Sequence, residues 1–146
     1  MAFVVDLQTR QTIEYLTREL SDFEKNQALK EGLRGAANVF AYLDKRNLTQ
    51  RLKKPSWNLK FSITSRVRTP RKGGEPTVVG FERPEGNVAH LVDRGTKPRY
   101  TKKNAYRGIM PANYFHSYAR DEGERPATNA IYEGVRRIVD RINSRR

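Results

Sequence analysis

DFEKNQALKEGLRGAANVFAYLDKR, residues 22–46, reads as one long amphipathic helix and sets the frame for the rest of the chain. Leu29, Leu33, Ala36, Ala37, Phe40 and Leu43 recur at three- and four-residue steps, which puts one apolar stripe on one face. Asp22 suits the N-cap, and Lys45 and Arg46 suit the negative end of the helix dipole. Gly32 and Gly35 lower helix propensity, and their position predicts a close approach by another backbone.

Upstream, Phe3–Val5 reads as a brief strand. Asp6 or Thr9 then caps a first helix in which Ile13, Leu16 and Leu20 share a face, and Ser21-Asp22 interrupts it. Downstream, residues 47–58 read as a connecting loop. Leu59, Phe61, Ile63, Ser65 and Val67 alternate with Lys60, Ser62, Thr64 and Arg66, which predicts a strand over 59–67. The run TPRKGGEP, 69–76, reads as a hairpin connection, 77–81 as the returning strand, 84–87 as a turn and 88–92 as a third strand. Together these predict an antiparallel meander under the long helix. Residues 114–120 read as a short helix broken by DEGERP at 121–126. A last helix over 127–142 carries Ile131, Val135, Ile138, Val139 and Ile142 as its stripe.

The expected class is therefore α+β: a small antiparallel sheet packed against a long helix and a C-terminal helix, with long extended loops. At 146 residues the chain fits a single domain, 1–146, helical over 6–46, with sheet and loops over 47–110 and C-terminal helices over 114–145.

Charge is distributed unevenly. The net charge is +13, yet residues 1–50 balance seven basic against seven acidic side chains. Residues 51–110 carry fifteen basic and four acidic ones, and residues 111–146 seven and five. So concentrated a positive field favours a polyanion or an acidic protein face. Mean hydropathy is −0.84 with 36% apolar residues, a modest core whose order is expected to draw on neighbouring subunits. Cysteine is absent, which removes disulfides and thiolate metal sites and fits a reducing compartment. The apolar patch before Asp6 is too short for a signal peptide or membrane span, so a soluble protein of a cytoplasm is expected.

Catalytic signals are weak. His90 and His116 lack acidic partners at ligand spacing and read as ordinary, partly buried histidines. Gly73-Gly74 lacks the lysine and helix of a phosphate loop, and no Ser/His/Asp set stands out. Asp121, Glu122 and Glu124 read as dipole partners at a helix start rather than as a catalytic pair. No enzyme, cofactor or metal is expected.

The strongest signal is HLVDRGTKPRYTKKNAYRGIMPANYF, residues 90–115. Arg94, Lys97, Arg99, Lys102, Lys103 and Arg107 bracket Tyr100 and Tyr106, a mixture that binds phosphate while rings stack or pack. Arg71 and Lys72 at the hairpin tip form a second candidate contact. Gly95 suits a positive-φ turn, and Pro111 an extended entry to a helix.

Read in order, these features resemble the small tail-completion, or head–tail joining, proteins of long-tailed bacteriophages. That pattern has a helical N-terminal part and a small sheet. A strand ending in an acidic or polar residue, Gly and Thr follows, here Ala89-His90-Leu91-Val92-Asp93-Arg94-Gly95-Thr96. A loop then closes on a Pro-Ala-x-x-Phe segment, here Met110-Pro111-Ala112-Asn113-Tyr114-Phe115, before the C-terminal helix. The family's Thr-Gly-Arg-Leu stretch corresponds to Thr49-Gln50-Arg51-Leu52, with Gln50 in the glycine place. The resemblance implies a structural virion protein of the neck, made in the host bacterial cytoplasm. It implies a homo-oligomeric ring of about six or twelve subunits, meeting adaptor, tail-terminator or tail-tube rings and lining the DNA path, with no membrane involved. The alternative is a small, basic, non-specific nucleic-acid-binding protein.

Overall fold

The computed structural model describes residues 7–52, 57–68 and 77–146. Its elements are helices α1 (Leu7–Thr17), α2 (Asp22–Arg51) and α3 (Trp57–Ser62), and strands β1 (Ile63–Arg68) and β2 (Thr77–Phe81). A 3-10 turn (Glu85–Val88), α4 (Ala89–Arg94), β3 (Arg99–Tyr100), β4 (Tyr106–Gly108) and α5 (Phe115–Asn143) follow. The fold is α+β, dominated by two long helices with two small antiparallel ribbons, β1–β2 and β3–β4. No described helix is long and apolar enough to cross a membrane. The strand expected at Phe3–Val5 and the hairpin tip with Arg71 and Lys72 lie outside the described residues.

Ser21, not Asp22, is the N-cap of α2. Its hydroxyl accepts from the Glu24 backbone N–H at 3.3 Å, while its own N–H donates to Glu24 Oε2 at 2.9 Å. The spacing Ser-x-x-Glu explains the choice, because both partners satisfy orphan donors reciprocally. The helix then runs past the expected end at Arg46 to Arg51, since Leu43, Asn47 and Leu48 continue the buried face. Thr49 and Gln50 are helical, so glutamine in the glycine place lets the helix continue.

α2 and α5 lie antiparallel, and small residues set their distance. A Cβ on Gly134 would sit 2.7 Å from the Gly32 Cα, and one on Gly32 would sit 2.9 Å from the Ile131 carbonyl oxygen. Gly123 faces the Phe40 ring, and Gly35 faces Ala130. Close approach lets Ala28, Ala36, Ala127, Ile131, Val135 and Ile138 fill one core, with Ile13 and Leu16 of α1 against it. A second core gathers Leu48, Leu59, Ile63, Ala89 and Phe115 where the ribbon β1–β2 meets the helices.

Three further expectations are corrected. The segment 59–67 is not all strand: Leu59, Ser62 and Ile63 are buried at helical spacing, α3 takes residues up to Ser62, and Phe61 is 78% exposed. β1 pairs with β2 from Ile63↔Phe81 to Arg68↔Thr77. The third strand at 88–92 is absent, because Ala89 and Asp93 are buried four apart and the segment coils as α4. A short apolar run cannot separate strand from helix by periodicity alone, and the meander reduces to two strands. Finally, 121–126 does not break the C-terminal helix. Ala119, Gly123 and Ala127 are buried against α2, and Pro126 sits on the exposed side, where water can satisfy the carbonyl it orphans. Asp121, Glu122 and Glu124 are therefore mid-helix residues, and Glu122 pairs with Arg46 across α2 and α5.

Candidate functional site

The loop expected after Gly95 is an arm built on a β-ribbon. β3 and β4 pair Arg99 with Gly108 and Tyr100 with Tyr106, and the register slips by one at Arg107, the extra residue of a bulge. The tip is Thr101-Lys102-Lys103-Asn104. The Asn104 N–H donates to the Thr101 carbonyl at 2.9 Å, and the Ala105 N–H donates to the Thr101 hydroxyl Oγ1 at 3.0 Å. Asn104 takes φ +57°, a left-handed conformation that asparagine tolerates. This turn places two lysines at the apex.

The arm is pinned at its base. The Thr96 N–H donates to the Met110 carbonyl at 2.9 Å, and the Met110 N–H donates to Thr96 Oγ1 at 3.0 Å. Gly95 has φ +76°, and a Cβ there would lie 2.7 Å from both the Met110 carbonyl oxygen and the Ala112 nitrogen. Only glycine satisfies that conformation and that closeness together. The positive φ expected at Gly95 is present, although it follows a helix rather than a strand. Exposed Pro111 lies in the irregular stretch between this clasp and α5.

Below the clasp, the Asn113 and Tyr114 N–H groups donate to the carbonyls of Val92 and Asp93 at 3.0 and 2.8 Å. Tyr114, at φ +58°, offers no side-chain cap to α5. Asp93 supplies the cap from α4: its Oδ1 accepts from the His116 and Ser117 N–H groups at 2.9 and 3.0 Å, and its Oδ2 accepts from the Ser117 hydroxyl at 2.7 Å. Asp93 is 6% exposed and Asp44 of α2 is 2% exposed. His116 Nδ1 meets Asp44 Oδ1 at 2.8 Å, and the Asn47 side-chain amide donates to the Phe115 carbonyl at 3.2 Å. Burial pushes the Asp44 carboxyl above its ordinary range. The contact with His116 opposes that rise, and nearby Asp93 adds to it. Thus the arm is carried on a hydrogen-bonded junction that joins α4 and α5 to α2.

The structure brings six of the expected contact cations together with the arm. Arg94 lies at the end of α4, Lys97 and Arg99 on the first limb, Lys102 and Lys103 at the tip, and Arg107 on the second limb, all exposed. None of the six has a carboxylate partner among the described residues. Tyr100 and Tyr106 are each 60% exposed with ring centroids 5.5 Å apart. His90, expected to be partly buried in a strand, is instead exposed on α4. His116 is partly buried, as expected, but it has acidic neighbours that sequence spacing did not reveal. The signal that could have found Asp44 is its place, with Asn47, on the continued apolar stripe of α2. Asp93 holds the acidic place of the resemblance, but its capping role carried no signal, because the cap joins elements apart in sequence.

Among the described residues, no group of three or more His, Cys, Asp or Glu side chains could hold a metal ion. What the arrangement can do chemically is present fixed positive charge and two aromatic rings to an acidic surface. No family model, no curated protein and no solved structure matches this chain.

Proposed function

We propose that this chain is a non-enzymatic structural subunit of the neck of a long-tailed bacteriophage. It forms a homo-oligomeric ring that joins or completes the head–tail connection and lines the DNA path. The observation that carries this reading is the arm: clasped at Gly95 and Met110, cationic beyond them, and without an ion-pair partner among the described residues. The reading also draws on sequence order, since the two segments that resemble head–tail joining proteins, 89–96 and 110–115, meet at that clasp, although residues 89–94 form helix α4 where the resembled pattern has a strand. A paired base with a free tip suits an element that reaches a neighbouring ring. Charge reversal at Lys97, Arg99, Lys102 and Lys103 tests the proposal. The variant should fold as the parent does and fail to join heads to tails. Normal joining by the variant would remove the arm as a docking element. A small basic protein that binds nucleic acid on its own is the second reading, favoured by the same unpaired cations.

A further inference from the structure

We infer that the β3–β4 arm is a binding site for the phosphate backbone of duplex nucleic acid. The inference deepens the neck reading, on which its place beside a DNA path rests.

Three observations support it. First, between Asp93 and Asp121 the sequence contains no acidic residue, so the positive charge of the arm is not neutralised from within. Elsewhere some cations are held in ion pairs: Arg46 with Glu122, Arg137 with Glu31 at 3.5 Å, and Arg146 with Glu24 at 3.3 Å. Arg94, Lys97, Arg99, Lys102, Lys103 and Arg107 have no such partner among the described residues, so none must break a contact to take a phosphate.

Second, the arm is an isolated two-stranded ribbon with a lysine pair at its apex. Duplex DNA carries a charge about every 1.7 Å, and its major groove is about 12 Å wide, enough to admit a two-stranded ribbon between two phosphate rows. Cations on both limbs and at the tip can then meet phosphates on both sides of a groove.

Third, the aromatic side chains of the ribbon are Tyr100 and Tyr106, whose hydroxyls can donate to phosphate oxygens, and the exposed apolar Ile109 follows β4 at the base rather than at the tip. A protein-docking hairpin would more often present a buried apolar anchor and charges of both signs. Tyrosine and arginine also serve at protein interfaces, but three lysines and three arginines with no acidic residue among them fit a polyanion better, lysine being depleted at protein interfaces. No base-reading pattern accompanies them, so recognition is of backbone rather than sequence.

The test uses the full chain and a fluorescent random-sequence DNA duplex, with affinity measured from 50 to 200 mM salt. Six phosphate contacts predict a loss of about a thousandfold over that range. Alanine at Lys97, Arg99, Lys102 and Lys103 should lower the salt slope by about four. A control with alanine at exposed Lys30, Lys45, Arg136 and Arg141 removes the same charge from the helices and should leave most of the affinity in place. Equal losses in the two variants would overturn the inference, as would no binding by the parent chain. An arm variant that keeps DNA affinity but cannot join heads to tails would also overturn it. That result would assign the arm to an acidic protein and leave the neck reading standing. Loss of DNA affinity with normal joining would support the inference and remove the arm from docking.

Discussion

Asp93 holds Ser117 twice, through the backbone N–H at 3.0 Å to Oδ1 and through the hydroxyl at 2.7 Å to Oδ2. A carboxylate from one helix thus caps the N-terminus of another, where N–H groups lack partners and the dipole favours negative charge. The acidic residue before Gly-Thr therefore ties the base of the arm to α5. Asp93→Ala should cost about 2 kcal/mol in urea unfolding, the upper range for a lost cap. Asp93→Asn, which keeps an acceptor oxygen, should cost less. A change below about 0.5 kcal/mol in the alanine variant, the lower end for a cap, would contradict the assignment.

The approach of α2 to α5 leaves no room for a methyl group. Gly134→Ala should destabilise by about 2 kcal/mol, although alanine is the better helix former by about 1 kcal/mol, because the new Cβ meets the Gly32 backbone. Backbone atoms cannot swing aside as the end of a flexible side chain can. Denaturant unfolding of Gly134→Ala beside Gly35→Ala, whose nearest contact is 3.1 Å, should rank the first as the worse.

How much of this could be read from sequence depended on the range of the interactions. The α2 stripe and the Ile131–Val135–Ile138 stripe were legible because a long periodic pattern repeats its own evidence. The Gly32 approach was legible because a glycine inside a helix needs a reason. Segments 59–67 and 88–92 were misread because their few apolar residues fit either period. Pro126 was misread because packing of Gly123 and Ala127 on α2 outweighs a local breaker, and that packing is not local. At the site, the basic tyrosine-bearing arm was visible as composition. The Asp93 cap and the Asp44–His116 pair were not, since each joins elements distant in sequence.

Gly95→Ala should loosen the arm. The residue sits at φ +76° and ψ −177°, an essentially glycine-only conformation where a side chain costs about 1–3 kcal/mol, and its Cβ would also strike the Ala112 nitrogen. Gly108 has φ +85° but open space, so Gly108→Ala should carry the conformational cost alone. Limited trypsin digestion reads the difference as faster cleavage between Lys97 and Arg107 in the Gly95 variant. Equal rates in the two variants would mean that the clasp does not depend on this contact.

The pH dependence of stability should show two carboxylates with opposite signs. Burial raises Asp44 above its ordinary 3.8, with His116 opposing and Asp93 reinforcing. The folded state thus keeps that proton to higher pH than the unfolded chain. Its contribution is fully present below about pH 3.8 and is lost as pH rises through the raised value. Glu24, held below its ordinary 4.5 chiefly by the Ser21 backbone N–H, contributes above that pH and loses its contribution as pH falls. Stability of the parent minus Asp44→Asn should therefore fall with rising pH, and parent minus Glu24→Gln should rise. Thermal melts from about pH 3 to 7 check both, and slopes of the same sign would contradict the assignment.

The central claim concerns assembly, and sedimentation velocity tests it most directly. Purified 16.9 kDa chain, alone or mixed with the adjoining connector ring, should sediment as one closed species of about six or twelve copies. A chain that stays monomeric at every concentration, and stays apart from the connector ring, would contradict the account.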